Sequence, residues 1–173
     1  VAASEQKSER IDWRHILSFN RSYWYILALC VRFSSVIFPF RSTFAIKYFQ
    51  LAHVLDLKAA STLNSYVFLA AVFVTPAFGW IVDRVGKRAL FMVFGSLLLP
   101  LSFLILATTS WNLWVTTVLI GISFSLIPAV LWPSVALLVQ PKHLGTAYGL
   151  MFMLQNIGMA GANLYAGHLN DQA

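Results

Sequence analysis

From residue 89 to residue 141 the chain carries no Asp, Glu, Lys or Arg, and residues 59–82 are equally free of formal charge. A membrane-crossing helix needs about 20 apolar residues to traverse roughly 30 Å of hydrocarbon. Uncharged runs of this length leave a soluble fold little to put on its surface. Charged residues make up only 10% of the 173-residue sequence, against about 25% in soluble domains. The fold class that follows is an all-α integral membrane protein, in which chain length counts spans rather than globular cores.

Five apolar segments follow in order, 23–49, 62–82, 89–109, 113–139 and 145–169, each near or above the spanning length. Residues 1–21 are polar, mixed in charge and without the apolar centre of a signal peptide. They read as a cytoplasmic loop segment ahead of a transmembrane helical bundle over 22–173. The start at Val1, without a Met, reads as the cut end of a longer protein. Asp56 is placed to cap the second helix, and the TTSW run ending at Trp111 to separate the third from the fourth. Connections this short make consecutive helices antiparallel neighbours.

The charges test that topology, because Lys and Arg gather in cytoplasmic loops. With the N-terminus inside, Lys7, Arg10, Arg14, Arg21, Arg84, Lys87, Arg88 and Lys142 fall on the cytoplasmic side, against Lys47 and Lys58 outside. The net charge of +6 is thus a topology signal. No basic stripe interleaved with exposed aromatics accompanies it, so nucleic acid is not an expected partner. Cys30 is the only cysteine, which excludes a disulfide within the chain and cysteine-based metal sites. No cofactor is expected.

Prolines 39, 76, 100, 128 and 133 lie inside the spans, each removing a backbone hydrogen bond. Membrane helices tolerate this where neighbours or a cavity satisfy the freed carbonyls. Kinked, mobile transporter helices and ordinary membrane-helix proline are both open readings. Gly145, Gly149, Gly158, Gly161 and Ala162 on the last segment are expected to let a neighbouring helix approach closely.

The charges that do occur are concentrated in GWIVDRVGKR, Gly79 to Arg88. On charge alone this is a positive-inside loop. Its spacing says more: Gly79 permits close approach at a helix end, Asp83 is an anion suited to a helix N-terminus, and Gly86 allows a tight turn. Arg84, Lys87 and Arg88 supply donors for carboxylates. At every defined position the stretch resembles the signature of the major facilitator superfamily, Gly-x-x-x-Asp-Arg-x-Gly-Arg/Lys-Arg/Lys, between the second and third helices of a six-helix half. That resemblance implies an inner-gate latch in which Asp83 faces a helix end of the opposite half, while Arg84 and Arg88 pair with acidic groups at the seam. Gly79 and Gly86 would allow the approach.

Two further stretches, SVIFPFRSTFAIKYF from Ser35 and ALWPSVALLVQPKHLGTAYGLMFMLQNIG from Ala129, resemble the C-terminal half of one branch of that superfamily, dipeptide transporters of animal lysosomes and their prokaryotic relatives. The resemblance implies helices seven to eleven of twelve. The implied partners are the missing N-terminal half of the same transporter, the lipid bilayer and a small-molecule solute. The implied membrane is the cell membrane for a prokaryotic protein and the lysosomal membrane for an animal one, where an accessory glycoprotein would also be expected.

Transporters of this kind hold their solute near the bilayer midplane, so polar groups at depth are the candidates. At 1.5 Å per residue Arg32 lies roughly 15 Å into the first span and Arg41 roughly 27 Å. A charge at mid-membrane costs about 2.5–3.5 kcal/mol on insertion scales and needs a cavity or a partner. Arg41 also has the alternative of snorkelling to the outer interface. Either guanidinium suits a carboxylate. On the last segment Tyr148 and Gln155 share a face, as do Asn156 and Asn163, and the amides of Gln155 and Asn156 serve either a solute or interhelical bonding. Phe40 and Trp132 are candidate aromatic walls, and Asn64 an outer-cavity candidate.

Asp56, Asp83 and Asp171 lie at helix ends, as do His15, His53, His143 and His168. The spans therefore offer no proton carrier, and transport is either uniport or coupled through the missing half. The expected function is transmembrane transport by alternating access of a small polar solute, a dipeptide or another carboxylate-bearing compound. The alternative is a receptor or assembly subunit that shares the fold. A membrane-embedded enzyme would need a nucleophile with a base, or clustered ligands, at one depth, and the sequence supplies neither.

Overall fold

The structure, a computed structural model, describes residues 19–108 and 112–172. The basic residues Lys7, Arg10 and Arg14, with His15 and most of the expected loop segment, lie outside the described residues, as does most of the TTSW break. Helix α1 (Arg21–Pro39) continues through a five-residue π turn (Phe40–Phe44) into α2 (Ala45–His53). There follow α3 (Leu57–Val85), α4 (Arg88–Thr108), α5 (Leu113–Leu138), a short 3-10 turn (Pro141–His143) and α6 (Leu144–Asp171).

The helix starts are chemically marked. Asn20 accepts from the Ser22 amide, Asp56 from Ala59 at 3.2 Å and Asn112 from Trp114 at 3.1 Å, each satisfying an otherwise orphaned donor. Val54, at φ 53, ends α2 in the left-handed region. Helix α3 extends past both ends of its apolar segment, since the Asp56 cap and the Gly86 stop lie beyond the greasy residues.

Among the described residues four helical stretches are long and apolar enough to cross a membrane: Arg21–His53, Leu57–Val85, Arg88–Thr108 and Leu113–Leu138. Helix α6, at 28 residues, has the length, about 42 Å at 1.5 Å per residue. Gln155, Asn156, Asn163 and Asn170 make it less apolar.

Helix α5 is the axis of the bundle. It packs along α3 and α4 and also meets α1, while α1 packs along α6. Apolar residues on all sides suit this buried position, and Ile120, Leu126, Ile127, Val130 and Val135 are almost wholly covered.

The direction of packing follows from paired contacts. Tyr66 meets Trp114, Val67 and Ala70 meet Gly121, and Val82 clusters with Leu126 and Val130, so α3 and α5 run parallel. A Cβ at Gly121 would come within 2.9 Å of the Ala70 Cβ and 3.1 Å of the Val67 carbonyl oxygen. Overpacking of that kind costs about 1–3 kcal/mol. Gly121→Val should therefore lower the thermal unfolding temperature of the full-length protein in detergent, and an unchanged value would contradict this contact.

Polar contacts spaced along the α1–α6 seam show that these helices are parallel too. Tyr23 donates its hydroxyl proton to the Ala147 carbonyl at 2.8 Å, and the Cys30 thiol donates to Gln155 Oε1 at 3.5 Å. Beyond the π turn, Thr43 donates to Asn163 and Lys47 to Asn170, both at 3.1 Å. Between them Gly158 faces Ser35 and Val31 with no room for a side chain. Among the α6 glycines only Gly158 meets another helix this way. Gly145, Gly149 and Gly161 meet no described residue within 4 Å, so within the described residues the expected close approach is made at Gly158.

The π turn is where the first span departs from a regular helix. The Ala45 amide reaches back five residues to the Phe40 carbonyl, and the Ser42 hydroxyl takes the Phe38 carbonyl at 2.8 Å. From α3, Asn64 donates its amide to the Arg41 carbonyl at 3.3 Å. Side chains thus replace hydrogen bonds that the wider turn forgoes. Such turns recur at functional sites.

A buried arginine, an aromatic pocket and the signature loop

Arg41 occupies the second position of the π turn and is 5% exposed. Its guanidinium carbon sits 3.5 Å above the centre of the Phe68 ring and 5.2 Å from that of Phe124. Nε is buried without a hydrogen-bond partner, and among the described residues no carboxylate pairs with the side chain. Contact with ring faces offsets part of the cost of a desolvated cation, but the Nε donor is used by no described residue. Side chains of α3 and α5 enclose Arg41.

Phe124 is also a wall of a pocket of about 340 Å3 between α1, α5 and α6, to which α3 contributes Thr75. Phe38, which meets Phe124 edge to face at 5.7 Å, Leu131, Trp132 and Phe152 form its apolar walls. Cys30, Ser34 and Gln155 give it a polar side. Trp132 stacks on Phe152 at 4.7 Å, and Tyr148 holds that pair by donating to the Trp132 carbonyl at 2.9 Å.

The structure thus brings Trp132 and Gln155 into one pocket, with Tyr148 bracing it and Arg41 beyond the shared Phe124 ring. The other sequence candidates lie elsewhere. Arg32 lines a separate groove of about 640 Å3 between α1 and α4, beside Leu99 and Phe103. Phe40 packs edge to face on Phe103 at 4.7 Å and leans on Tyr48. Asn64 is engaged with the π turn. Asn156 is exposed and donates to the Phe152 carbonyl of its own helix at 2.7 Å. Sequence reasoning missed Phe68 and Phe124, which enclose Arg41, and Ser34 and Thr75. The only signal for the last two was a small hydroxyl residue within an apolar span.

At the opposite end of α3, Gly86 terminates the helix at φ 70 and ψ −6, with its amide bonded to the Val82 carbonyl at 2.8 Å. Glycine takes this left-handed conformation without steric cost. The turn brings Arg88 Nη2 to 2.8 Å from Asp83 Oδ1. The second terminal nitrogen, Nη1, is buried and unpartnered. Arg84 lies 4.1 Å over the Trp80 ring, and Lys87 is exposed between the helices. A Cβ at Gly79 would meet nothing within 4 Å, so no described residue of this chain accounts for a glycine there.

The Major Facilitator Superfamily profile matches residues 2–171. The chain belongs to the major facilitator superfamily. As a member of a transporter superfamily it is not an enzyme. It is 36% identical over 166 residues to the lysosomal dipeptide transporter MFSD1 of Gallus gallus, a match covering 94% of this chain and 37% of that protein. The MFSD1 proteins of Danio rerio and Homo sapiens are 35% and 34% identical, each over 94% of this chain and 35% of their own length. The chain therefore spans little more than a third of these relatives. An all-helical superfamily member with four stretches fit to cross a bilayer is an integral membrane protein.

Proposed function

We propose that this chain forms helices seven to eleven of a twelve-helix transporter that carries a small polar solute across the membrane by alternating access. In this reading all five helical segments span the bilayer, α6 included, with the N-terminus on the cytoplasmic side. Further partners are the N-terminal half of the same transporter and the lipid bilayer. The solute is a dipeptide or another compound bearing a carboxylate. Similarity to the dipeptide transporters supports the class, and Arg41 supports the carboxylate. A guanidinium with no counter-ion among the described residues and an unpartnered Nε has donors in reserve for one that arrives with the solute, and two parallel N–H···O bonds are the geometry it favours. Gln155, Trp132 and Tyr148 provide the neighbouring surface.

GWIVDRVGKR is the cytoplasmic latch. Gly79 leaves space for a helix of the other half, and Arg88 holds Asp83 in place while keeping one nitrogen free. Flux is the direct test: the full-length protein, reconstituted into proteoliposomes, should accumulate a radiolabelled dipeptide until the gradient is dissipated. Binding of the dipeptide without flux would make the protein a receptor, and absence of both would remove the dipeptide reading.

A further inference from the structure

We infer that the pocket between α1, α5 and α6 receives an apolar side chain of the transported carboxylate, so that this transporter discriminates in favour of solutes carrying a bulky apolar group. The inference rests on the reading of Arg41 as the carboxylate partner and adds to it where the remainder of the solute goes.

Volume is the first consideration. At about 340 Å3 the pocket lies at the small end of the roughly 300–1,000 Å3 typical of small-molecule sites. A bulky apolar side chain fits within it. Chemistry is the second. Phe38, Leu131, Trp132 and Phe152 dominate the walls, and no Asp, Glu, Lys, Arg or His lines them. A charged substituent would lose its hydration there without gaining a counter-charge, whereas an apolar one gains about 25 cal/mol per Å2 of surface removed from water.

Position is the third consideration. Phe124 contributes to the pocket wall and lies 5.2 Å from the Arg41 guanidinium. A solute whose carboxylate engages Arg41 is therefore separated from the pocket by a single ring. Phe68, which covers the guanidinium at 3.5 Å, is itself 53% exposed, so rotation of that ring opens the cation without disturbing the core. The apolar group and the carboxylate of one small molecule can then be held together, as a dipeptide with a leucyl or phenylalanyl residue requires.

The test uses purified full-length protein and the dipeptides of glycine, alanine, leucine and phenylalanine as competitors of a radiolabelled dipeptide. Because a single methylene in an apolar pocket is worth about tenfold or more, leucyl and phenylalanyl dipeptides should compete at least about tenfold better than glycylglycine. Thr75→Phe, which narrows the pocket from α3, should bring that ratio towards one. If this variant does not fold, the series on the wild-type protein decides alone. A flat wild-type series overturns the inference. So does a ratio that folded Thr75→Phe leaves intact, since the pocket is then filled by lipid or by the opposite half and the side chain binds elsewhere. Flux measured in parallel separates the two readings: graded binding without flux leaves the pocket assignment standing and removes transport, and flux with a flat series does the reverse.

Discussion

Arg41→Gln in the full-length transporter lowers uptake of a carboxylate-bearing dipeptide by roughly 10- to 100-fold, the equivalent of about 1.5–3 kcal/mol for a hydrogen bond to a charged group. The fold should not suffer with it. A buried cation without a partner is a cost to the folded state, and Gln removes that cost while giving up ring contacts worth about 0.5–2 kcal/mol. The expected pattern is therefore a large fall in uptake beside a thermal unfolding temperature that is unchanged or higher. Arg41→Lys keeps the charge but loses the planar fork, and its uptake should lie between the two. A structural role for Arg41 would produce the opposite pattern, lower stability with transport falling only in proportion to the folded protein.

Asp83→Asn should reduce flux at least about tenfold while expression and thermal stability hold. Its ion pair with Arg88 is 2.8 Å long, but the Asp83 side chain is 68% exposed, and exposed pairs contribute about 0–1 kcal/mol. The loss would thus fall on the conformational cycle, because Arg88 would be released and the negative charge at the seam would disappear. Flux is to be measured alongside equilibrium binding of the same dipeptide, which the substitution should leave near wild type. Wild-type flux from Asp83→Asn would remove the latch assignment.

The signature loop was legible because its information is local. Every element of it lies within ten consecutive residues, and the left-handed Gly86 and the Asp83–Arg88 pair follow from that spacing. The cap at Asp56 belongs to the same class of signal. The pocket was only half legible, because which face a side chain occupies depends on helix phase. Arg32 lies two residues after Cys30, about 200° further round the helix, so once Cys30 faces Gln155, Arg32 must face α4. Gln155 and Asn156 differ by about 100°, enough to bury one and expose the other.

Nothing near Arg41 in the sequence indicates its enclosure, which comes from Phe68 on α3 and Phe124 on α5. Nor does the FRSTF stretch itself reveal a π turn. Pro39 signals a local disturbance, but its form depends on Asn64, 23 positions away from the carbonyl it serves. Asn64 is an outer-cavity candidate by sequence, and an amide in an apolar helix needs a partner. Here that partner is backbone.

The π turn also has a consequence for comparing this chain with others. A five-residue turn holds one residue more than a regular helix needs, so the segment Phe40–Phe44 behaves as a built-in single-residue insertion. Deleting one residue there would restore continuous α-helix and turn everything beyond it by about 100°. Thr43 and Lys47 would swing away from Asn163 and Asn170. An alignment that places a one-residue gap at this point therefore compares proteins in which the helix beyond the turn presents different faces, however similar the residues on either side.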